Sequence, residues 1–498
     1  MSAPLDCDVA VIGAGFAGSL LALIARRLGL RVVLLERDRH PRFAIGESST
    51  PLANLLLEEL ADRYELPELL PFVKWGAWQR DRPEISCGLK RGFSFFHHTE
   101  GQFWSPNAAR SNELLVAASP HDAIADTHWY RADVDHAFAK LAMQRGAELF
   151  EQTALQSIEW AGSGAEISAS VQGTPMKFRC RFVLDASGPR GFLSRRLSLR
   201  EAQFPAMPPT QTLFSHFRDV TRWDQVHRPT ETPPYPVDDA ALHHVFDGGW
   251  IWVLRFNNGI TSAGVAGTDA LFHRLGLAEG ASGWDRLLSR LPSVREQFRQ
   301  ARSCLPFRHW PRLTFRVARA ANERWALAPG AAAFVDPLLS SGFPLTLLGI
   351  QRLAELLERD WRTERWRANL AAYEAATFQE VDWTADLVGA LYQNMGRFET
   401  FSNLSLLYFA AAIFSESARR LDRKESAPGF LLCRHKAFSA AFRRCLEAAR
   451  HESPAGEFSA GILKAIEDVN VAGLGDPSRR NWYPVRAEDL VSVAAKLA

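Results

Sequence analysis

A glycine-rich loop near the start of the chain does most to restrict how this protein can fold. The loop GAGFAG, residues 13–18, directly follows an apolar strand at residues 9–12 and precedes a helix with apolar residues on one face. A second apolar strand ends at Glu36, about 20 positions beyond the loop. This order predicts a βαβ unit whose loop backbone contacts a dinucleotide pyrophosphate and whose acidic residue accepts ribose hydroxyls.

A second glycine-bearing segment lies about 320 residues further along the chain. It reads FVDPLLSSG, residues 334–342, and leads into an apolar helix predicted at residues 345–357. A helix N-terminus presents free N–H groups and a partial positive charge, which suits negative charge on the pyrimidine edge of a reduced flavin. With the turn LDASG at residues 184–188, the two helix entrances predict one large cofactor held at both ends. We expect FAD, with NAD as the alternative for the first loop taken alone.

The composition is that of a globular protein with room for two or three lobes. The chain has 498 residues and a formal net charge of +2, so no strong field favours nucleic acid or an anionic membrane. Six cysteines without CxxC spacing and histidine pairs that are sequence neighbours predict no disulfide framework, no metal site and a reducing cytoplasm. Fifteen tryptophans favour large apolar cores or an aromatic-lined cavity. The apolar runs predict neither a signal peptide nor a membrane span.

Five motifs occur here in the same order as in flavin-dependent halogenases. They are GAGFAG, IGESSTP at residues 45–51, LDASG, the tryptophan pair in GGWIWVLRF at residues 248–256, and FVDPLLSSG. Over roughly residues 5–357 the chain therefore resembles the tryptophan-halogenase-like branch of the FAD monooxygenases. The resemblance implies that reduced FAD and O2 give a C4a-hydroperoxide, which chloride or bromide converts to hypohalous acid held by a lysine. No nicotinamide site is visible, which favours a separate flavin reductase as the source of FADH2.

The pattern along the chain predicts an α/β fold with a glutathione-reductase-type FAD-binding domain, an inserted mixed or antiparallel substrate-domain sheet and a helical C-terminal lobe. We expect the FAD-binding domain at residues 1–90, 125–200 and 310–362, the substrate domain at 91–124 and 201–309, and the helical domain at 363–498. Short strands are predicted at 93–96 and 102–104, and a hairpin at 166–171 and 177–184. C-terminal helices are predicted near 366–395, 403–421, 429–450 and 458–468.

The resemblance also assigns roles to individual residues. Lys74, between the IGESSTP loop and the first substrate-domain strand, fits the halogenase lysine best unless it is an exposed loop residue, and Lys90 is the competing candidate. Glu47 is either an acid near the flavin or a carboxylate that caps the next helix. Trp250 and Trp252 are expected to line the substrate tunnel. The predicted cofactor-binding residues are Gly13, Gly15, Phe16, Ala17, Gly18, Glu36, Ser48, Asp185, Asp336, Pro337, Ser341 and Gly342.

Three departures from the family pattern bear on the reaction. Leu254 and Arg255 replace the usual Ile-Pro, which favours ordinary oxygenation. Pro329 and Gly330 replace a Gly-Asp pair whose Asp holds the ribityl chain, which predicts loose FAD binding. Leu339 stands where tryptophan halogenases carry a glutamate that assists proton loss from the ring. The ring must then be activated by its own substituent, as in a phenol or a pyrrole.

We therefore expect halogenation of an electron-rich aromatic compound that is either a free small molecule or bound to a carrier protein. Hydroxylation or epoxidation without halide is the first alternative. Reduction of a C=C bond and a non-catalytic flavoprotein are the others.

Overall fold

A six-stranded sheet, here called the dinucleotide sheet, contains the strand that precedes the GAGFAG loop. The computed structural model describes residues 3–162, 164–451 and 455–497, so residues 1 and 498, the outer ends of the predicted domains, lie outside the described residues. In spatial order its strands are Ala321–Asn322, Trp325–Leu327, Phe182–Asp185, Val9–Ile12, Val32–Leu35 and Glu148–Phe150. All neighbours are parallel except the first pair, which is antiparallel.

The strand Val9–Ile12 is buried on both faces, as its unbroken apolar run predicts. Successive side chains of a strand point to opposite faces. Val9 and Val11 belong to the core shared with the helix Phe16–Arg27, whereas Ala10 and Ile12 pack toward a four-stranded sheet on the other side. That second sheet contains Leu5–Asp6, Thr174–Cys180, Gly164–Val171 and Thr153–Ala161.

The hairpin predicted at residues 166–171 and 177–184 is correct only in its first part. The antiparallel partners are Gly164–Val171 and Thr174–Cys180. Phe182–Asp185 leaves the hairpin and pairs in parallel with Val9–Ile12 in the dinucleotide sheet. All four of its residues are buried, unlike those of the half-exposed hairpin strands. The turn LDASG is thereby brought beside the GAGFAG loop.

A nine-stranded sheet, here called the large sheet, contains the tryptophan pair. Eight strands follow the spatial order Arg302–Ser303, Thr210–Arg218, Thr261–Thr268, Gly249–Arg255, Ala241–Phe246, Gly92–His97, Glu113–Ala117 and Trp482–Tyr483, and Arg308–Trp310 also pairs with Thr210–Arg218. The sheet is mixed, because Ala241–Phe246 runs parallel to Gly92–His97. The strand predicted at residues 102–104 is wrong. There the Trp104 N–H donates to the Ser293 hydroxyl, at 2.9 Å, instead of to a neighbouring strand.

Two smaller sheets complete the β structure. One contains Glu201–Ala202, Phe315–Val317 and Ala333–Phe334, and the other is a ribbon of Cys87–Lys90 and Asp126–Trp129. The IGESSTP segment extends this ribbon, since the Ser49 N–H donates to the Thr127 carbonyl and the Trp129 N–H to the Glu47 carbonyl. The strand Asp126–Trp129 therefore lies between the segment that carries Ser48 and the strand that carries Lys90.

The α-helices cover the sheets and form most of the C-terminal part. They are Phe16–Arg27, Pro51–Arg63, Trp75–Asp81, Arg131–Gln144, Phe192–Arg196, Trp223–Val226, Asp269–Leu275, Ala281–Arg290, Pro292–Phe298, Pro329–Ala332, Gly342–Arg359, Trp366–Gln393, Phe398–Arg420, Lys436–Ala448, Ala455–Ile466 and Ala487–Leu497. The helix predicted near 429–450 is shorter because Leu431 and Leu432 have φ of +49° and +58°, outside the right-handed helical region. The predicted fold class is confirmed.

The C-terminal part is not purely helical. Its strand Trp482–Tyr483 adds to the large sheet in parallel with Glu113–Ala117. The helix Phe398–Arg420 packs on the strand Gly92–His97, with Phe401 against Phe95 and Phe409 against Phe93. The predicted domain boundaries remain a prediction.

No helix among the described residues has both the length and the apolar character that a membrane span requires.

Candidate active site

A large cavity lies where the carboxyl ends of the dinucleotide-sheet strands meet the large sheet. Its volume is about 710 Å³, within the usual range for ligand pockets. Open α/β sheets bind ligands at this edge. The wall is drawn from residues 12–17, 35–48, 186–192, 241–254 and 328–346, with further residues between them. The cavity therefore joins the first and second glycine-bearing segments, as the sequence predicts.

The three glycines of GAGFAG do different work. Gly13 has φ of +92°, and a Cβ there would lie 2.7 Å from the carbonyl oxygen of Ala186. A Cβ on Gly18 would lie 1.9 Å from the carbonyl oxygen of Gly13. Gly15 lines the cavity, and the nearest atom to its Cβ would be 3.5 Å away. Two glycines thus shape the loop, and the third leaves its cavity side open.

Phe16 and Ala17 begin the first helix and also line the cavity. The Phe16 N–H donates to Asp135 Oδ1 at 3.1 Å. Its ring stacks on Phe343, with 4.9 Å between ring centres. Because Phe343 belongs to the helix Gly342–Arg359, the two helix entrances are in direct contact.

Glu36 is buried at the cavity wall and already has protein donors. Its Oε2 accepts from the Ala14 N–H at 2.8 Å and from Arg42 at 2.9 Å, and its Oε1 accepts from the Asp38 N–H at 3.0 Å. Burial acts to raise the pKa of Glu36, but the hydrogen bond and charge of Arg42 outweigh it, so the pKa is lowered. Glu36 therefore carries a negative charge next to the loop.

Asp185 shapes the LDASG turn from behind the cavity wall. Its Oδ1 accepts from the Ser187 N–H at 2.9 Å, and its Oδ2 accepts from the Leu193 N–H at 2.6 Å. The residues that line the cavity here are Ala186, Ser187 and Gly188. Any action of Asp185 on a cofactor is therefore indirect, through the position of this turn.

Asp336 of FVDPLLSSG is buried at the cavity wall. It is hydrogen-bonded to Tyr392, which lies outside all of the sequence motifs. Its Oδ1 accepts from the Leu338 N–H at 2.9 Å, and its Oδ2 accepts from the Tyr392 hydroxyl at 2.8 Å. The Trp250 indole N–H donates to the same hydroxyl at 3.2 Å. Burial raises the pKa of Asp336 to about 7, against the hydrogen bond from Tyr392. Tyr392 belongs to a C-terminal helix, where nothing in its sequence neighbourhood indicates this contact.

The rest of this segment presents backbone groups to the cavity. Pro337, Ser341 and Gly342 line it, and a Cβ on Gly342 would meet open space. The helix that begins at Gly342 has no side-chain cap at Ser341, so its first N–H groups are available to a ligand. A second tyrosine missed by sequence reasoning, Tyr408, donates to the Leu339 carbonyl at 2.7 Å.

Lys90 is the lysine that the structure places against the cavity wall. It is fully buried, and its Nζ donates to Ser48 Oγ at 2.9 Å, to the Ser49 carbonyl at 2.6 Å and to Ser340 Oγ at 3.3 Å. Ser48 and Ser340 line the cavity, and their hydroxyls are 3.1 Å apart. Burial lowers the pKa of Lys90 to about 7, although the charge of Asp126 acts to raise it. Burial thus favours the neutral amine, whereas the nearby carboxylate favours the ammonium.

Lys74 lies near this site but is not enclosed by it. It is partly buried and immediately precedes the short helix Trp75–Asp81. The Trp75 N–H donates to the Ala125 carbonyl at 2.9 Å, which sets Lys74 beside Asp126. The described contacts thus connect Lys90, and not Lys74, to the serines of the cavity wall.

A family model described as DAO, FAD dependent oxidoreductase, matches residues 8–326, more than half of the chain. The chain belongs to this family. The matched region contains the GAGFAG loop, the LDASG turn and most of the large sheet, so the family assignment agrees with the predicted enzyme class and cofactor.

Relatives of this FAD-dependent oxidoreductase are halogenases. Tetracycline 7-halogenase of Kitasatospora aureofaciens is 29% identical over 422 residues, which are 82% of this chain and 73% of the relative. Monodechloroaminopyrrolnitrin halogenase PrnC of Pseudomonas fluorescens is 28% identical over 419 residues, 82% and 72% of the two chains. The crystal structure of halogenase PltM in complex with phloroglucinol and FAD is 25% identical, with a TM-score of 0.85 over 95% of this chain and 99% of that one. The predicted resemblance to flavin-dependent halogenases is confirmed.

The side chains at the cavity also fit FAD. Gly15 and Gly342 leave open space at the two helix entrances. A Cβ at either position would occupy part of the space that a ligand needs. Among the described residues, Arg42 Nε and Glu47 Oε2 are buried without a hydrogen-bond partner, and both residues line the cavity. Buried polar atoms are rarely left unpaired in the absence of a bound group. The arrangement suits a long ligand with a phosphate at one end and a polar ring at the other.

Glu47 is paired with a histidine that the sequence analysis did not identify. Its Oε1 lies 2.9 Å from His216 Nε2, and both side chains are buried. His216 is in the large-sheet strand Thr210–Arg218, and its ring lies against Phe43 and Tyr130. Glu47 does not cap the helix Pro51–Arg63, where Thr50 accepts from the Ala53 N–H.

The tryptophan pair belongs to a central strand of the large sheet and lines the cavity. Trp252 donates to the Ser262 hydroxyl at 3.2 Å, and Trp250 donates to Tyr392. Next to them, Arg255 explains one departure from the family pattern. Its guanidinium pairs with Asp238 at 3.0 Å and donates to the carbonyls of Val220 and Thr221. Arg255 therefore links parts of the protein outside the cavity wall.

Proposed function

We propose that this protein is a flavin-dependent halogenase of neutral, electron-rich aromatic compounds, with Lys90 as the residue that holds the hypohalous acid. The observation that carries the proposal is the enclosed Lys90 amine, whose partners Ser48 and Ser340 belong to two separate cofactor-binding segments. Of the eight lysines in the chain, Lys90 is fully buried, whereas the other seven are partly buried or exposed. A buried lysine is costly, so its presence next to a cofactor cavity favours a chemical role.

The amine has the geometry to bind a small oxidant at the cavity wall. Its three N–H groups point to three acceptors, two of which are hydroxyls that can rotate or be replaced. The Ser49 carbonyl, at 2.6 Å, is the fixed partner. Hypohalous acid that displaces a serine hydroxyl would accept a hydrogen bond from the ammonium through its oxygen, leaving its halogen free to meet the substrate ring.

FAD bound in reduced form, with O2 and chloride or bromide, would supply the oxidising equivalent. The group transfer at Lys90 is then Ar–H + HOX → Ar–X + H2O, where the ring carbon takes X⁺ and its proton leaves with the hydroxide. In this step Lys90 holds the acid, and the burial of its amine excludes water from it. The walls of the cavity position the ring. We expect FADH2 to come from a separate flavin reductase in the cytoplasm.

Leu339 supports a substrate that is activated by its own substituent. Leu339 is fully buried and has no side-chain carboxylate. Its backbone carbonyl accepts a hydrogen bond from Tyr408. His243, beside the tryptophan pair, has its pKa lowered to about 3 by burial, so it carries no charge at neutral pH. A phenol or pyrrole needs no carboxylate to assist the loss of its ring proton, whereas an unactivated indole carbon does.

The test supplies enzymatically reduced FAD, O2 and bromide with a panel of phenols, pyrroles and indoles, including a pyrrole linked to a carrier protein. Mass spectrometry should show a bromine isotope doublet in phenol or pyrrole products and none in tryptophan. Gain of one oxygen that persists without halide would replace halogenation by hydroxylation. Bromination confined to the carrier-linked pyrrole would reassign the substrate from a free to a tethered compound.

A further inference from the structure

Asp126 lies directly across the small ribbon from Lys90. The antiparallel register pairs Lys90 with Asp126, and directly opposite residues carry their side chains on the same face of a sheet. Asp126 is 1% exposed and Lys90 is 0% exposed. The two ionisable side chains are therefore buried on the same face of the ribbon.

A chain of hydrogen bonds links the two side chains. Lys90 donates to the Ser49 carbonyl, the Ser49 hydroxyl donates to Asn54 Oδ1 at 2.6 Å, and Asn54 Nδ2 donates to Asp126 Oδ1 at 2.8 Å. The other oxygen, Asp126 Oδ2, is buried and has no hydrogen-bond partner within the described residues. A carboxylate half unsatisfied in this way is costly unless a nearby positive charge compensates it.

Other titratable groups surround the pair. The groups that act on Lys90 or Asp126, or respond to them, are Lys74, His128, His243, Tyr408, Glu416 and Arg420. Burial lowers the pKa of both histidines and raises that of Tyr408, so these rings are neutral near pH 7. Glu416 pairs with Arg420 at 2.7 Å. Lys74 is half-buried, and its charge lowers the pKa of Asp126 more than the charge of Lys90 does.

We propose that Asp126 is a positioning residue, the buried counter-charge that keeps the Lys90 amine protonated and directed toward Ser48 and Ser340. This inference rests on the proposed function for its catalytic meaning, but the charge coupling itself does not. Only the ammonium form has three N–H donors, one each for the Ser49 carbonyl, for one serine hydroxyl and for the hypohalous acid that replaces the other serine hydroxyl. Without the carboxylate, burial would leave the amine neutral at physiological pH, with one donor fewer.

The consequence is a defined pH dependence. Activity that needs the ammonium should fall as the pH rises through the pKa of Lys90. Asp126→Asn removes the negative charge and keeps the side-chain shape, so this alkaline loss should begin at lower pH, by about one unit or more. A purely structural role of Asp126 would lower the rate at every pH without moving the profile.

The direct test does not require catalysis. Lysine labelled with 13C at its ε carbon gives at most eight resonances, and Lys90→Met identifies the one from Lys90. We expect the Lys90 resonance to titrate lower by about one unit or more in Asp126→Asn than in wild type. Asn54→Ala should shift the Lys90 titration in the same direction by a smaller amount. This variant removes one hydrogen bond to the Asp126 carboxylate but leaves the carboxylate in place. An unshifted Lys90 titration in folded Asp126→Asn protein would overturn the proposal.

The two proposals can fail separately. If Lys90 titrates as expected but no substrate is halogenated, the counter-charge inference stands and the proposed function fails. If bromination depends on Lys90 but its pH profile is the same in Asp126→Asn, the function stands and the inference fails. Should Asp126→Asn not fold, Asn54→Ala together with the wild-type titration decides the question, and an unshifted Asn54→Ala resonance counts against the inference.

Discussion

The two ends of the cavity are built in opposite ways. The dinucleotide end takes its main residues from one stretch, in which GAGFAG, Glu36 and Arg42 lie within 30 residues of one another, whereas distant residues such as Asp135 and Ala186 only support it. The Lys90 end brings together Ser48, Lys90, Ser340 and Tyr392, which are far apart in sequence. The first end can be read from a local pattern, whereas the second exists only once the sheets have packed.

The two ends also differ in how they stabilise charge. Glu36 and Arg42 form an ion pair at 2.9 Å, and each keeps its charge. At the other end, Lys90 has neutral hydrogen-bond partners and one buried carboxylate, Asp126, opposite it. Asp336 is hydrogen-bonded to neutral groups, and the pKa of Lys90 and that of Asp336 are each about 7. Groups balanced between two protonation states near neutral pH suit proton transfer and small-molecule binding, whereas a fixed ion pair suits the holding of a cofactor.

The largest expected effect separates the two candidate lysines. Lys90→Ala should lower bromination about 100-fold or more, because the hydrogen bond to the oxidant is lost. It should leave FAD binding almost unchanged, since Lys90 is behind the cavity wall. Lys74→Ala is the matched control and should stay close to wild type in both assays. If Lys74→Ala loses bromination and Lys90→Ala keeps it, the halogenase lysine is Lys74, the residue that the sequence favours, and Lys90 has no part in the mechanism.

The next prediction concerns two glycines of the same loop. Gly18→Ala should destabilise the protein by about 1–3 kcal/mol, because the new Cβ would meet the rigid Gly13 carbonyl. Gly15→Ala should unfold at nearly the wild-type temperature, since Gly15 has φ of −69° and space around it. It should instead weaken FAD binding about tenfold, equivalent to about 1.4 kcal/mol. Thermal unfolding and FAD titration measure the two effects. Equal loss of stability in both variants would contradict the separate roles.

These glycines show why much of the dinucleotide end could be predicted from the sequence. A loop position that needs a positive φ or a close backbone approach admits few residue types other than glycine. A glycine in the sequence therefore indicates such a position. Glu36 was identified for a similar reason, since its distance from the loop is set by the length of a βαβ unit. The strand Val9–Ile12 and the fold class follow from hydrophobic patterning in the same way.

The Lys90 end could be predicted only in part. Lys90 and Lys74 are both lysines near the same motif, and only the pairing of Cys87–Lys90 with Asp126–Trp129 encloses one of them. Tyr392 and Tyr408 lie on long helices where a tyrosine is ordinary, so their contacts with the DPLLSSG loop leave no local signal. His216 is likewise one strand residue among many. Long-range packing, not local propensity, creates these contacts.

A smaller effect compares the two acidic residues by pH. Burial raises the folded-state pKa of Asp336 to about 7, so its contribution to stability is lost as the pH rises from about 4 to about 7. The pKa of Glu36 is lowered, so its contribution is present above its unfolded pKa and is lost as the pH falls. Asp336→Asn should therefore reduce the fall in unfolding free energy between about pH 5 and about pH 8.

Glu36→Gln is the control for this experiment and should lower stability at neutral pH without removing that fall. Urea unfolding at the two pH values measures both variants. If Asp336→Asn keeps the wild-type slope, Asp336 is ionised throughout the range and the contrast between the two ends is lost.

The smallest expected effect tests whether the C-terminal helices position the flavin end. Tyr408→Phe removes one hydrogen bond to the Leu339 carbonyl and should cost about 1 kcal/mol. Tyr392→Phe should cost more above neutral pH, where the hydroxyl donates to an ionised Asp336, and should also leave the Trp250 N–H without its acceptor. Both should weaken FAD binding in proportion to the lost stability, because they hold the loop that leads to Gly342. Loss of stability with unchanged FAD affinity would mean that these tyrosines fasten the helices to the sheet but do not set the position of the loop.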